Sequence, residues 1–338
     1  MTSETRARVL LVGLGPTTHS ALEALAGRFD VVGLVRDCDD EVARAARAYG
    51  VPVILATTPA DLARLVDETR PDCVVVSSYH RILSAALLDR CRFVNVHYAP
   101  LPRYRGRANV NWAILNGEPE AAVTVHTMVP GLDAGGILAQ ATVPIGRRDT
   151  IGLLYDRLNE LQRRILAGAV QRCLDGDPGD PQDEAQATYG CTRLPDDGLI
   201  DWSRSTDEID RLVRALSAPY PGAFTFFGLA RLEVLAAEPS PDRRTFAGRV
   251  PGRVVASSAD QGWCDVLTGD GLLRLHRVRL GDEVSAAAAV VRGSRQTLGL
   301  RTTDLVERVA LLERALADLT ADAVETRSEA VSPGRPAP

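Results

Sequence analysis

The order of strands and helices is set by residues 8–35, RVLLVGLGPTTHSALEALAGRFDVVGLV. The stretch begins with an apolar run that ends at Gly13, which is typical of a strand buried on both faces of a sheet. Apolar residues then recur at helical spacing from Ser20 to Phe29, and Val31 to Val35 is a second buried run. Strand, helix and strand in this order predict a parallel β-α-β unit.

The alternation of strands and helices continues through the first half of the chain. The predicted helices cover residues 40–49, 60–68 and 151–174, and the predicted strands cover 51–54, 72–76, 93–97 and 123–128. We therefore expect a Rossmann-like α/β domain with a doubly wound, mostly parallel sheet over residues 1–188. The turn at Gly13-Leu-Gly15-Pro lacks the third glycine of a dinucleotide fingerprint, so a tight turn is favoured over a dinucleotide site.

The pattern changes in the second half, where a helix at residues 206–216 is followed by short strands bounded by Gly, Pro and Asp. The strands are predicted at residues 224–227, 231–236, 251–257, 263–267 and 272–280. Short strands in series indicate a second, smaller β-barrel domain of OB-like form over residues 189–300.

The C-terminal segment is predicted as an amphipathic helix over residues 301–325, followed by a disordered tail over residues 326–338. Apolar residues recur along the helix at spacings of four and three: Leu305, Val309, Leu312, Leu316, Leu319 and Ala323. Such a stripe can pack against the barrel of its own chain, or it can pair with a second copy in a homodimer. The sequence leaves both interpretations open.

Composition places the chain among soluble globular proteins, with 45% hydrophobic and 25% charged residues. No apolar run approaches the roughly 20 residues of a membrane span. The six cysteines never form a C-x-x-C pair, so neither a metal site nor a disulfide framework is indicated, and a cytoplasmic location is expected. The net charge of −5 argues against a nucleic-acid partner, because phosphate backbones bind concentrated positive charge.

Candidate catalytic residues follow from the alternation in Phe93-Val-Asn-Val-His97, which puts Asn95 and His97 on one face of a strand. An amide can stabilise a developing oxyanion, an imidazole can relay a proton, and a carboxylate such as Asp133 in the glycine-rich loop can orient the imidazole. A strand-borne histidine can also be an ordinary core residue. The loop at residues 98–107, with three arginines and two tyrosines, favours the functional interpretation because ligands bind at the carboxyl ends of parallel strands.

Several ordered motifs between residues 8 and 280 resemble those of the 10-formyltetrahydrofolate-dependent transferases. That family includes methionyl-tRNA formyltransferase, glycinamide ribonucleotide formyltransferase and the sugar N-formyltransferases. The motifs are Asn95-Val-His97, Leu101-Pro-Arg-Tyr-Arg-Gly106, Trp112-Ala-Ile-Leu-Asn-Gly-Glu118, Val123-Thr-Val-His-Thr-Met128, Leu132-Asp-Ala-Gly135, and the segments at 193–202 and 219–225.

The resemblance implies an enzyme that moves a formyl group from N10-formyltetrahydrofolate to a primary amine, with no metal. By position it assigns catalysis to Asn95, His97 and Asp133. It assigns folate binding to Arg81, Ile82, Leu83, Leu132, Ala134, Gly135 and Ile137. It assigns the amine substrate to Tyr98, Arg103, Tyr104, Arg105, Asn109 and Trp112.

One departure from the family pattern bears on the substrate, since Ala99 stands where the family commonly has Ser. The Arg-Tyr-Arg-Gly run followed by Asn109-Val-Asn-Trp112 resembles enzymes that act on nucleotide-linked amino sugars, so we expect such a small-molecule acceptor. One alternative is a methionyl-tRNA formyltransferase. Another is a non-catalytic protein that binds folate or a nucleotide.

Overall fold

The computed structural model describes residues 6–56 and 58–330, with side chains described as far as residue 320. The chain divides into two compact units. The first runs to Asp197 and includes Arg214–Tyr220, and the second consists of Gly198–Val213 and the residues from Pro221 onward. No helix among the described residues is long and apolar enough to cross a bilayer. The cytoplasmic location stays a prediction.

The first unit is built on a seven-stranded sheet in the order β3-β2-β1-β4-β5-β7-β8. The elements are β1 (Arg8–Val12), α1 (Thr18–Ala26), β2 (Asp30–Arg36), α2 (Glu41–Ala48), β3 (Val53–Leu55), α3 (Pro59–Thr69), β4 (Cys73–Ser77), α4 (Ala85–Leu88), β5 (Arg92–His97), β6 (Arg105–Gly106), α5 (Asn109–Leu115), β7 (Glu120–Thr127), β8 (Ile137–Pro144), α6 (Ile151–Leu174) and β9 (Tyr189–Gly190). Strands β1 to β5 pair in parallel, whereas β7 is antiparallel to both of its neighbours. The predicted doubly wound, mostly parallel sheet is confirmed.

Alternating residues of the central strands belong to different apolar cores, as a sheet covered on both faces requires. In β1, Val9 and Leu11 pack with α1, α2 and α6, whereas Leu10 and Val12 pack with residues of α3 and α4. All five residues of β4 are buried. The continuous apolar runs in the sequence therefore correspond to strands between two layers of helices.

The second unit is an antiparallel sheet in the order β10-β11-β14-β13-β12, with β15 paired to β14. The remaining elements of the chain are α7 (Thr206–Ala215), β10 (Ala223–Phe227), β11 (Ala230–Pro239), β12 (Val254–Ser258), β13 (Trp263–Leu267), β14 (Leu272–Leu280), β15 (Glu283–Ala286), α8 (Ala287–Val290) and α9 (Thr302–Ala330). Strand β15 and helix α8 were not predicted. Strand β12 begins three residues later than predicted, because the Arg253 N–H closes a turn on the Val250 carbonyl (3.0 Å).

Residues 296–299 connect the two edge strands of this sheet. The Val254 N–H donates to the Gln296 carbonyl (3.0 Å), and the Gly299 N–H donates to the Phe226 carbonyl (2.8 Å). Because one segment pairs with β12 and also with β10, the sheet closes on itself and leaves short edges. The prediction of a second, smaller β domain is confirmed.

Helix α9 extends to Ala330, beyond residue 325 where the sequence predicted its end. None of its described side chains, at residues 302–320, is buried. Residues 331–338 of the predicted tail lie outside the described residues.

Candidate active site

A cavity of about 790 Å³ opens in the first unit where the sheet changes from parallel to antiparallel, near the ends of β4 and β5. This size is within the usual range for a site that takes a small organic molecule. Its lining includes Leu14, Ser78, Asn95, His97, His126 and Asp133. We refer to it as the large cavity.

Strand β5 supplies two of these side chains because it alternates. Val94 and Val96 are buried in the core, and Asn95 and His97 lie on the opposite face of the strand. Strand β7 pairs with β5 in an antiparallel register that sets His126 directly opposite Asn95. The large cavity therefore has an amide and two imidazoles on one wall.

Asp133 comes from the loop after β7 and has a left-handed backbone conformation, with φ of 47°. The side-chain amide of Gln182 fixes this loop by donating to the carbonyl of Asp133 (2.7 Å) and to that of Gly135 (2.8 Å). A Cβ on Gly135 would lie 1.7 Å from the Thr127 carbonyl oxygen, so the close approach of loop and strand requires glycine.

The three predicted catalytic residues converge, although 38 residues separate the first from the last. Asp133 Oδ1 is 3.3 Å from Asn95 Nδ2, and Asp133 Oδ2 is 3.6 Å from His97 Nδ1. The Gly106 N–H donates to Asp133 Oδ2 at 2.8 Å. An amide, an imidazole and a carboxylate thus meet in the large cavity.

His126 is a fourth member of this group that sequence reasoning missed. Its Nδ1 is 2.8 Å from the Thr127 carbonyl oxygen, to which it can donate a hydrogen bond. Nε2 is 3.1 Å from Asn95 Nδ2, which can donate to it. The alternation of Val123-Thr-Val-His-Thr-Met128 puts Thr124 and His126 on one face, and that signal was in the sequence. The strand register that pairs His126 with Asn95 could not be predicted from the sequence.

The electrostatics of His97 and Asp133 differ. Burial lowers the pKa of His97, and the opposing effects of the Asp133 charge and the Tyr104 carbonyl do not reverse this shift. Burial would raise the pKa of Asp133, but the facing His126 and His97 rings and the Gly106 N–H bring that pKa down to about 2. Near neutral pH the site therefore holds an ionised carboxylate next to a neutral imidazole.

Both ring nitrogens of His97 face acceptors. Nε2 is 2.7 Å from the Tyr104 carbonyl oxygen, and Nδ1 faces the Asp133 carboxylate. The side-chain amide nitrogen of Asn109, a donor, is also 3.0 Å from Nε2. A proton on Nδ1 would lie next to the Asp133 carboxylate, while Nε2, on the other side of the ring, lies next to the Tyr104 carbonyl oxygen. The ring is therefore placed to accept a proton transiently.

The residues predicted to bind folate fall into two groups. Arg81, Ile82, Leu83 and Leu132 line the large cavity. Ala134, Gly135 and Ile137 do not line it; Gly135 packs on β7, and Ile137 exchanges backbone hydrogen bonds with Asp180. The first group can contact a ligand directly, whereas the second shapes the loop that carries Asp133.

Of the residues predicted to bind the amine, Tyr98 and Asn109 line the large cavity. Arg103 and Tyr104 both bond to Glu118 and line a separate cavity of about 90 Å³. Ala99, the departure from the family pattern, also lines that small cavity. Trp112 donates its indole N–H to the Cys191 carbonyl (2.9 Å).

Arg105 requires a correction. Its side chain is 2% exposed, and its guanidinium pairs with the Glu184 carboxylate (2.6 and 2.8 Å) and donates to Gln182. The family resemblance assigned Arg105 to the amine substrate, but its charge is already neutralised by a carboxylate of the same chain. Its partners are 77 and 79 residues away, and no signal in the sequence pointed to them.

Comparison with known proteins gives the family to which the chain is similar. Residues 39–170 match the model of the formyl transferase family, and residues 194–295 match that of the formyl transferase C-terminal domain. A methionyl-tRNA formyltransferase of Marinobacter nauticus is 32% identical over 311 residues, which cover 86% of this chain and 97% of that protein.

Two crystal structures share the fold. HypX from Aquifex aeolicus, solved with tetrahydrofolic acid, has a TM-score of 0.64 at 19% identity over 85% of this chain, and the chain spans 47% of HypX. WlaRD, a sugar 3N-formyl transferase, has a TM-score of 0.59 at 16% identity over 82% of this chain and 99% of its own.

The fold and the matched family models define a group-transfer enzyme. More particularly, the chain belongs to the formyltransferase family. The predicted family, the enzyme class and 10-formyltetrahydrofolate as formyl donor are confirmed, and the non-catalytic alternative is set aside.

Proposed function

We propose that the acceptor amine is that of methionine carried by tRNA, and that Asn95, His97 and Asp133 catalyse its formylation. The observation that supports this acceptor most is the methionyl-tRNA formyltransferase relative, whose match extends over both domains and 97% of its length. Methionyl-tRNA is the acceptor that the sequence analysis gave as an alternative, and it replaces the nucleotide-linked amino sugar that we expected first.

The charge of the second unit is compatible with a polyanionic acceptor. Residues 221–301 contain eleven arginines against eight acidic residues, in a chain whose net charge is −5. Four of these arginines fall within residues 243–253, which include no acidic residue. A local excess of positive charge is what binding to a phosphate backbone requires, whatever the charge of the whole chain.

Catalysis by the chain's own residues is derived from the site geometry. One N–H of Asn95 Nδ2 donates to His126 Nε2, and the other, which faces Asp133 Oδ1 in the free enzyme, donates to the formyl oxygen as negative charge develops there. Asp133 is ionised because its pKa is about 2, so it is free to accept the amine proton, and its weak basicity favours immediate transfer of that proton to the more basic His97 ring. Burial lowers the pKa of His97 and favours the neutral ring before the reaction begins.

His97 then takes the proton from Asp133 on Nδ1, while Nε2 donates to the Tyr104 carbonyl. The imidazolium lies between two acceptors, which offsets the cost of its burial. The large cavity would hold the folate, with Arg81, Ile82, Leu83 and Leu132 on its wall. Bound there, 10-formyltetrahydrofolate would supply the formyl carbon, and its N10 would leave with the proton that His97 received from the amine.

The experiment that tests the acceptor incubates the protein with 10-formyltetrahydrofolate and either methionyl-tRNA or a panel of nucleotide-linked amino sugars. We expect formyl-methionyl-tRNA, with a rate at low tRNA concentration that falls steeply as salt rises. A formylated sugar with no product on methionyl-tRNA contradicts the acceptor proposed here. Formyl transfer itself would still stand in that case.

A nucleotide-linked amino sugar is the second candidate. The net charge of −5 favours it, because a small acceptor needs no extended basic surface. The fold likeness to a sugar 3N-formyl transferase over 99% of that protein is compatible with it. The same incubation decides between the two acceptors.

A further inference from the structure

Helix α9 carries an apolar stripe that the described residues of the chain leave exposed to solvent. The stripe consists of Leu305, Val309, Leu312, Leu316 and Leu319, and their exposed fractions run from 42% to 67%. No described side chain of α9 is buried. The sequence left two interpretations open, and the structure does not show the first of them, in which the stripe packs against the barrel of its own chain. A contiguous apolar stripe of this kind marks an interaction surface.

The spacing of the stripe is that of a coiled coil. With Val309 and Leu316 at heptad position a, the residues Leu305, Leu312 and Leu319 fall at position d. Leu at d with a β-branched residue at a favours two parallel strands, and Val309 meets this condition whereas Leu316 does not. The helix has 29 residues and is thus about 43 Å long, which gives about four heptads.

Charges beside the stripe match those of an identical helix in parallel orientation. Arg308 is at position g and Glu313 at position e, and in a parallel pair each g residue lies next to the e residue five positions on in the partner. The sequence repeats the complementary spacing with Asp322 and Arg327. In an antiparallel pair, g faces g and e faces e, so Arg308 would never meet Glu313 of the other helix.

We propose that α9 forms a parallel two-stranded coiled coil with α9 of a second copy, so that the enzyme is a homodimer. The occupant of the apolar stripe is therefore the same stripe on an identical chain. The inference rests on the helix alone and does not depend on the acceptor of the formyl group.

The first test compares two neighbouring leucines of similar exposure. Leu312 is 51% exposed and lies in the stripe, whereas Leu311 is 55% exposed and lies at position c, outside it. Analytical ultracentrifugation of the full chain over a dilution series should give twice the chain mass for the wild type. Leu312→Asp should weaken dimerisation by about a hundredfold or more, because two buried leucines are lost per dimer. Leu311→Asp should leave it unchanged.

The second test addresses orientation. Arg308→Glu and Glu313→Arg should each weaken the dimer by about two- to tenfold, and the double variant should restore it because the pair is re-formed with its signs exchanged. Glu307→Arg, at position f, is the control with the same change of charge. Helix content by circular dichroism and formyl transfer confirm that each variant is folded.

Three results would overturn the proposal. One is a monomeric wild type at every concentration, and another is equal weakening by Leu311→Asp and Leu312→Asp. The third is a double charge reversal that fails to restore the dimer, which excludes the parallel arrangement.

Discussion

Two buried carboxylates, one in each unit, serve different purposes. The side chain of Asp265 is 1% exposed and accepts two hydrogen bonds from the Arg274 guanidinium (both 2.8 Å) and one from Ser240 (2.9 Å). The side chain of Asp133 is 12% exposed and faces two imidazoles, an amide and a backbone N–H. Asp265 is neutralised by a permanent cation, whereas the neighbours of Asp133 can exchange protons with it. A buried charge with a permanent partner stabilises a fold, and one beside titratable partners remains available for chemistry.

The largest predicted effect that distinguishes the two carboxylates comes from Asp133→Asn. We expect kcat for formyl transfer to fall by about 10²- to 10⁴-fold, because the amide cannot accept the amine proton. Single-turnover kinetics with 10-formyltetrahydrofolate measure the effect, and circular dichroism verifies the fold. Asp265→Asn is the matched control, and the folded fraction of that variant should keep its kcat. Wild-type turnover by Asp133→Asn would remove the proposed base.

The same substitution in the barrel should act on stability instead. Asp265→Asn leaves the Arg274 guanidinium, which stacks 3.6 Å above the Trp263 ring, without its carboxylate. We expect the free energy of unfolding to fall by about 3–5 kcal/mol, as when one partner of a buried ion pair is removed. Chemical denaturation followed by tryptophan fluorescence measures it. A loss below about 1 kcal/mol would show that the pair is no more than a surface salt bridge.

Low pH should remove the stability that the ionised Asp133 carboxylate contributes. The folded pKa of Asp133, about 2, lies below its value of 3.8 in the unfolded chain. Its contribution to stability is therefore complete above about pH 4 and is lost as the pH falls toward 2. The stability difference between wild type and Asp133→Asn should shrink by about 2 kcal/mol over this interval. A difference that does not change with pH would mean that Asp133 has an ordinary pKa.

The smallest predicted effect concerns the positioning of Asn95. His126→Ala removes the acceptor at 3.1 Å from Asn95 Nδ2, so kcat should fall by about tenfold while the KM for the folate stays near its wild-type value. His126→Gln places a carbonyl oxygen near the same point and should recover most of the loss. A purely structural role for His126 would instead change KM and stability together, with no recovery by glutamine.

Much of the first unit could be predicted because its strands are continuous apolar runs. Residues such as Val9 to Val12 are buried on both faces, and burial on both faces leaves a signal in the sequence itself. The polar face of β5 could be predicted in the same way, because Asn95 and His97 alternate with core valines. That Asp133 approaches both was inferred from family resemblance, and the structure brings the three together.

The remaining features depend on contacts that are distant in sequence. The antiparallel register of β5 and β7 pairs His126 with Asn95, and no local pattern specifies that register. The partner of Arg105 is Glu184, far along the chain, so nothing in the sequence indicated that this guanidinium is paired within the protein. Long-range pairing of polar side chains is set by tertiary packing, which periodicity does not encode.

The central claim is that Asn95, His97 and Asp133 act together on one carbonyl carbon, and Asn95→Ala tests it most directly. Single-turnover formyl transfer by this variant, with donor and acceptor both saturating, should be slower by about 10²- to 10³-fold, the usual loss when one oxyanion donor is removed. A rate equal to that of the wild type would contradict the account.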